Sequence, residues 1–143
     1  MIRFATEKDR AALEKIGQRY SEETILGKLT NDQMTGIIDV CLLSGVVLLA
    51  ERDNEVVGII AGRFIDGFSM GLFFEEVLWY VNPEARGLGI MLFKRLLKTC
   101  EDKGCKGVSM WAYCNEHLEG VDKLYKRSGF KEIERKYYKT IGE

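Results

Sequence analysis

The chain contains a single histidine, a single proline and no apolar run long enough to span a bilayer. The lone histidine, His117, has Cys114 nearby but not the further ligands of a zinc set, so no metal is expected. The longest apolar stretch, 40–50, is interrupted by Ser44 and Gly45, and no membrane partner is expected. The opening "MIRFATEKDR" lacks the apolar core of a secretory signal. The four cysteines, 41, 100, 105 and 114, include no C-x-x-C pair, which points to reduced thiols and a cytoplasmic location. No Cys-His-Asn arrangement supports a cysteine hydrolase. Neither the G-x-x-x-x-G-K-[ST] phosphate loop nor the G-x-G-x-x-G nucleotide fingerprint is present, which disfavours ATP hydrolysis and hydride transfer. Neither sign of charge is in excess. Twenty-one basic and twenty-two acidic residues nearly cancel, so no general attraction to nucleic acid is expected.

What is present is a soluble-protein composition. With 143 residues, 46% hydrophobic and 30% charged, the chain is expected to form one domain, 1–143, with a real core. Residues 2–5 read as a short strand. Thr6 and Asp9 suit a capping box ahead of a helix that places Leu13, Ile16 and Tyr20 on one face. A second helical region, 22–43, is interrupted near 30–32 and carries Ile25, Leu26, Leu29, Met34, Ile38, Cys41 and Leu42. The runs 46–51 and 55–64 flank "RDN" and read as an antiparallel hairpin. "DGFSMG" reads as a flexible, partly apolar loop, and 66–72 as an element that shapes acceptor access. A third strand follows at 75–81.

The strongest helix is 88–103, with Leu92, Phe93, Leu96, Leu97 and Cys100 as its buried stripe and Gly104 as terminator. A strand at 108–112, a helix at 121–128 and one or two strands within 130–141 complete the chain. The expected fold is α+β: a central, mostly antiparallel mixed sheet flanked by helices.

One stretch stands apart. "YVNPEARGLGIM", 80–91, turns from a strand into the best helix through Pro83, Arg86, Gly87 and Gly89. Pro83 stops ladder pairing because it has no N–H. The glycines permit tight curvature and close approach of another molecule. The first-turn N–H groups of the helix point at whatever occupies that end, and a phosphate could accept several of them with Arg86 adding charge. The plainer reading is a strand-to-helix turn with Arg86 in solvent, and spacing alone leaves both open.

The stretch 75–103 resembles the acetyl-coenzyme A binding core of the GNAT superfamily of N-acetyltransferases. "V-N-P-E-A-R-G-L-G-I" is similar to the family form V-x-P-x-x-R-G-x-G-I, and "LYKRSGF", 124–130, resembles a second family motif. The resemblance implies that the strand through Leu78, Trp79, Tyr80 and Val81 splays from its parallel neighbour and bonds the pantetheine arm. It implies that Arg86, Gly87, Leu88, Gly89, Ile90 and Met91 cradle the pyrophosphate. Met91 departs from the glycine or alanine common there, so its side chain points away from the cradle or narrows it.

The chemistry requires a proton acceptor for the amine and a donor for the departing thiolate. Glu75 and Glu76 are adjacent on a strand and should face opposite ways. Counting back from Val81, the resemblance aligns Glu75 with the general base of some relatives. Glu76 stays a rival because a bulge would change the parity, and both could be solvent-facing strand residues. By spacing alone Tyr125 reads first as an amphipathic core residue; the resemblance reverses that preference, because it matches the family tyrosine near the coenzyme A sulfur and is the implied acid. Asn115 is a candidate cofactor contact, set ten positions before Tyr125, or part of an enlarged loop.

The expected activity is transfer of acetyl from acetyl-coenzyme A to a primary amine, directly in a ternary complex. The acceptor would be an amine-bearing small molecule, a peptide or a protein. The alternatives are a non-catalytic acyl-coenzyme A binding or protein-interaction module and a structural homodimer on the same fold.

Overall fold

A computed structural model describes residues 1–24, 27–68 and 71–142. They group into two compact units, Met1–Trp111 and Ala112–Glu143.

The first unit opens with strand β1 (Ile2–Phe4) and a 3-10 turn, Glu7–Asp9, that leads into helix α1 (Arg10–Glu22). The Asp9 carboxylate accepts the Thr6 N–H at 2.8 Å, as the capping box requires. The same carboxylate takes two bonds from the Arg3 guanidinium, which ties β1 to the helix start and pulls its pKa down to about 2. Helix α2 (Asn31–Ser44) begins at a reciprocal capping box: Thr30 Oγ1 accepts from Gln33 N–H and Gln33 Oε1 accepts from Thr30 N–H. The interruption expected at 30–32 is this cap, and the break begins earlier because α1 ends at Glu22. Ile25 and Leu26 lie outside the described residues.

Strands β2 (Gly45–Arg52) and β3 (Glu55–Phe68) form the expected hairpin. Its two turn residues, Asp53 and Asn54, both have positive φ (53° and 63°), the geometry that matches strand twist in a two-residue turn. Strand β4 (Gly71–Val81) pairs with β3 back to Phe68↔Gly71, so the loop expected over 66–72 is instead strand on both sides of Ser69 and Met70, which lie outside the described residues. The aromatic and β-branched residues flanking "DGFSMG" carry the ladder into it. Helix α3 (Leu88–Asp102) and strand β5 (Gly107–Ser109) complete the unit, with Gly104 at φ 77° just past the helix end.

The sheet order is β1-β2-β3-β4-β5, antiparallel except for the parallel β4–β5 pair. Alternation along the central strands feeds two cores. Val47, Leu49, Ile59, Ala61, Leu78 and Tyr80 face Leu13, Ile16, Met34, Ile38 and Cys41 of α1 and α2. Val46, Leu48, Ala50, Ile60, Phe74 and Val81 face Leu92, Leu96 and Cys100 of α3. Of the stripe expected on α3, Leu97 alone is only partly buried.

The second unit is built on helix α4 (Leu118–Arg127). No strand forms within 130–141, a correction to the sequence expectation. Its apolar residues Ile133, Tyr137, Tyr138 and Ile141 are all exposed, and alternation makes a strand only where a ladder partner and a buried face exist. Likewise β5 stops at Ser109 rather than running to 112. Among the described residues no helix is long and apolar enough to cross a membrane.

Candidate active site

The parallel ladder between β4 and β5 ends at Glu75↔Ser109. Two residues on, β4 carries a bulge: Gly62 of β3 faces Glu76 and Ala61 faces Leu78, so Val77 is the extra residue. A bulge bends its strand and increases the twist, and here it falls where β4 parts from β5. Gly62 makes the bulge possible, because a Cβ there would sit 2.2 Å from the Glu75 carbonyl oxygen and 2.5 Å from the Phe74 ring. Beyond the bulge the side chains are spoken for. Leu78 and Tyr80 enter the α1/α2 core, Val81 enters the α3 core, and Trp79 stacks on Phe93 with centroids 5.5 Å apart. Toward the β5 side, 76–81 presents main chain that pairs with no strand among the described residues.

The two candidate carboxylates differ sharply. Glu75 lies across from Arg63 in register, and its Oε1 accepts from Arg63 Nη2 and Nε at 3.1 and 3.3 Å. Glu76 is 4% exposed, and its Oε2 is buried without a hydrogen-bond partner. Burial first, and the neighbouring Glu75 charge second, push its pKa up to about 8. A carboxyl in this state holds its proton at neutral pH and becomes available as a base as pH rises through about 8. Of the two, Glu76 has the environment of a general base, and Glu75 that of a structural ion-pair partner.

At the far end of β4 the chain turns through Asn82 and a 3-10 turn, Pro83–Ala85. Asn82 is buried. Its N–H donates to Val57 O at 2.8 Å, its carbonyl accepts from Ala85 N–H at 2.9 Å, and its Oδ1 accepts from Arg19 Nη1 of α1 at 3.0 Å. Arg86 lies over the Tyr80 ring at 5.7 Å and pairs with Glu23 at 3.6 Å. Helix α3 then starts without a side-chain cap on Gly87 and without an acid in its first turn, leaving the positive end of the dipole uncompensated; of its first N–H groups, that of Gly89 donates to Arg86 O at 3.0 Å. A Cβ built on Gly87 meets no atom within 4 Å, and one on Gly89 meets only ordinary contacts at 3.4 Å or more. Ile90 and Met91 are half exposed and Leu88 is partly buried. These residues fit a diphosphate: open space beside the backbone, a helix dipole and main-chain donors.

In the second unit, Tyr125 lies in the last turn of α4 and is largely buried. Gly129 takes φ 89°, Phe130 N–H donates to Tyr125 O at 2.9 Å, and the two rings meet at 5.4 Å. "LYKRSGF" is thus a helix stop in which Phe130 folds back on the tyrosine. Asn115 is exposed and precedes α4. Its Oδ1 accepts from His117 N–H at 2.9 Å and its carbonyl from Leu118 N–H, so it shapes the helix start. Among the described residues, no three His, Cys, Asp or Glu side chains group to hold a metal ion.

The family model for acetyltransferases (GNAT) matches residues 13–130. The chain belongs to the GNAT family. No curated protein matches it in sequence. Among solved structures it is similar to a possible acetyltransferase from Clostridium difficile 630, at 22% identity and TM-score 0.75, over 98% of this chain and 95% of that one. It is similar to AAC(6')-Iy in complex with the bisubstrate analogue CoA-S-monomethyl-acetylneamine, at 15% identity and TM-score 0.74, over 98% and 96%. A ribosomal-protein-alanine N-acetyltransferase from Brucella melitensis biovar Abortus 2308 follows at 14% identity and TM-score 0.73, over 98% of each chain.

In this GNAT chain the site also depends on residues that periodicity did not single out. Arg63 occupies Glu75, and Arg19 of α1 and Glu23 just past its end reach the turn that leads into α3. On a helix wheel Arg19 and Glu23 are ordinary solvent-face residues. Only their long-range partners distinguish them.

Proposed function

We propose that the protein is an acetyl-coenzyme A dependent N-acetyltransferase acting on a primary amine by direct transfer in a ternary complex. One observation carries the reading: a buried, unpaired carboxyl, Glu76, stands where β4 leaves β5, on the strand that runs into an uncapped helix start. The donor supplies an activated thioester carbonyl. Main-chain groups along 78–81 hold its arm by strand-like bonds, and the N–H groups at the start of α3 that have no main-chain acceptor hold its diphosphate, the Gly89 N–H being already bonded to Arg86 O.

Glu76 takes the proton that the amine loses as its lone pair forms the new C–N bond and the C–S bond breaks. Its raised pKa, about 8, brings it near that of an amine, as proton transfer requires. Tyr125 is the proposed donor of a proton to the departing sulfur, on the strength of the family motif in which it lies. Glu75, held by Arg63, has the lesser claim to the base role. The acceptor is left at the level of a primary amine, since the similar proteins named above include one complexed with an aminoglycoside-type analogue and one named for a ribosomal protein.

The test is to incubate the protein with acetyl-coenzyme A and a broad amine panel while following free thiol and acetylated product. Amine-dependent thiol release is the expected result. Saturable donor binding with no turnover on any amine would instead identify a non-catalytic acyl-coenzyme A module.

A further inference from the structure

We infer that the C-terminal half of α1, with the Glu23 that caps it, is a clamp on the donor cradle, and that Arg19, Tyr20 and Glu23 are its positioning residues. The inference rests on the function proposed above. Arg19 in the last turn of α1 and Glu23 at its C-cap are four residues apart and fall on one side, with Tyr20 beside them. The three touch β4 and the turn that joins it to α3 at three places. The Tyr20 hydroxyl donates to Val77 O, at the bulge, at 3.5 Å. Arg19 Nη1 donates to Asn82 Oδ1, at the entry of the turn, at 3.0 Å. Glu23 pairs with Arg86, at the exit of the turn, at 3.6 Å.

These contacts bracket 77–86, the strand that would hold the donor's arm and the turn that aims the start of α3. Asn82 is the centre of it. Two main-chain bonds fix its backbone to Val57 and set the 3-10 turn through Ala85, while the side chain depends on Arg19. Because Asn82 is 5% exposed, loss of Arg19 would leave a buried amide oxygen unsatisfied. The turn would then have reason to rearrange, and Gly87 and the first N–H groups of α3 would move with it. Helix α1 is a firm reference for such a clamp, since Leu13 and Ile16 are sunk in the core at 0% and 3% exposure. A flexible diphosphate is held by several N–H groups at once, so cradle geometry acts on donor affinity more than on the proton transfers at Glu76. Arg86 is therefore engaged through Glu23 and Tyr80, and its contribution is to the shape of the turn.

The test is calorimetric titration of acetyl-coenzyme A into the wild type, Arg19→Met, Arg19→Lys and Glu23→Gln, with steady-state kinetics and melting curves for each. Arg19→Met should weaken donor binding about tenfold and raise its KM in step, with kcat at saturation little changed. Arg19→Lys, which keeps one charged donor for one acceptor, should recover most of the loss. Glu23→Gln, at an exposed pair, should cost about two- to threefold and leave melting unchanged. Unaltered donor affinity in Arg19→Met, or equal affinity in the Met and Lys variants, would overturn the clamp while leaving the transferase reading intact. If Arg19→Met does not fold, the Glu23→Gln affinity and the Lys variant decide in the same way. Wild-type protein that takes up no acetyl-coenzyme A would overturn both.

Discussion

Strand β4 is two different structures joined at a bulge. Up to Glu75 it is paired on both edges, to β3 and to β5, and its side chains pair across strands: Arg63 with Glu75, and Phe64 edge-on to Phe74 at 5.7 Å. From Glu76 to Val81 it keeps β3 but has left β5, and its side chains are consumed by the two cores. The first half holds the sheet together. The second has no ladder on its β5 edge among the described residues, and its one ionisable side chain apart from Tyr80 is trapped at the junction. Adjacent residues of the same type therefore have unlike chemistry: Glu75 is matched by a cation, and Glu76 is matched by nothing among the described residues.

The largest expected effect separates those two carboxylates. Glu76→Gln should lower kcat/KM by about 100- to 10,000-fold, the range for a lost general base. Glu75→Gln should cost only about threefold, because it removes an ion pair that is partly open to solvent. The reverse ranking would return the base role to Glu75. The acid limb of the wild-type pH–rate profile should rise through the neighbourhood of pH 8 and be absent from residual Glu76→Gln turnover.

Stability should follow the same carboxyl with a definite sign. Its folded pKa, about 8, lies above the ordinary 4.5, so between those values the folded state binds more protons than the unfolded one. Stability from this group is complete below pH 4.5 and is lost as pH rises to about 8 and beyond. The loss is at most about 5 kcal/mol by the pKa difference. Urea unfolding at a series of pH values should show that decline in the wild type and a flatter curve in Glu76→Gln. An equal decline in both would place the titration elsewhere.

The junction itself can be broken from the opposite strand. Gly62→Ala puts a Cβ against the Glu75 carbonyl and the Phe74 ring, at 2.2 and 2.5 Å, and the first of these is backbone that cannot step aside. It should destabilise the protein by about 2–3 kcal/mol, an overpacking cost. Retained stability in denaturant would mean that the bulge tolerates a side chain and is less fixed than its register suggests.

Much of this was legible in the sequence where signals are local. "RDN" between alternating runs marked the β2–β3 turn, the stripe from Leu92 to Cys100 marked α3, and "VNPEARGLGI" marked the turn from β4 into α3. The bulge entered the sequence reading only as the reason to keep Glu76 beside Glu75, and its position at Val77 was not legible, because it is set by how Gly62 pairs across the sheet. The segment 130–141 misled for a related reason: its alternation satisfies a strand pattern, but pattern cannot supply a partner strand. The α1 clamp was invisible because a helix residue that bonds Asn82, 63 positions away, carries the same spacing as one that faces water.

The smallest effect concerns the open half where it runs into α3. A Cβ on Gly87 would touch nothing in the protein, so Gly87→Ala should change stability by less than about 1 kcal/mol. The same methyl group would stand in the space where a diphosphate meets the first-turn N–H groups, and it should weaken acetyl-coenzyme A binding by about tenfold, or about 1.4 kcal/mol. Gly129→Ala is the contrasting substitution. Gly129 sits at φ 89°, so alanine there should cost about 1 kcal/mol of stability through backbone strain. One glycine is then required by a ligand and the other by the chain's own conformation. Calorimetry and denaturant curves on the two variants would separate these requirements. A Gly87→Ala protein that binds the donor at wild-type strength would show that the space beside this glycine is not where the diphosphate lies.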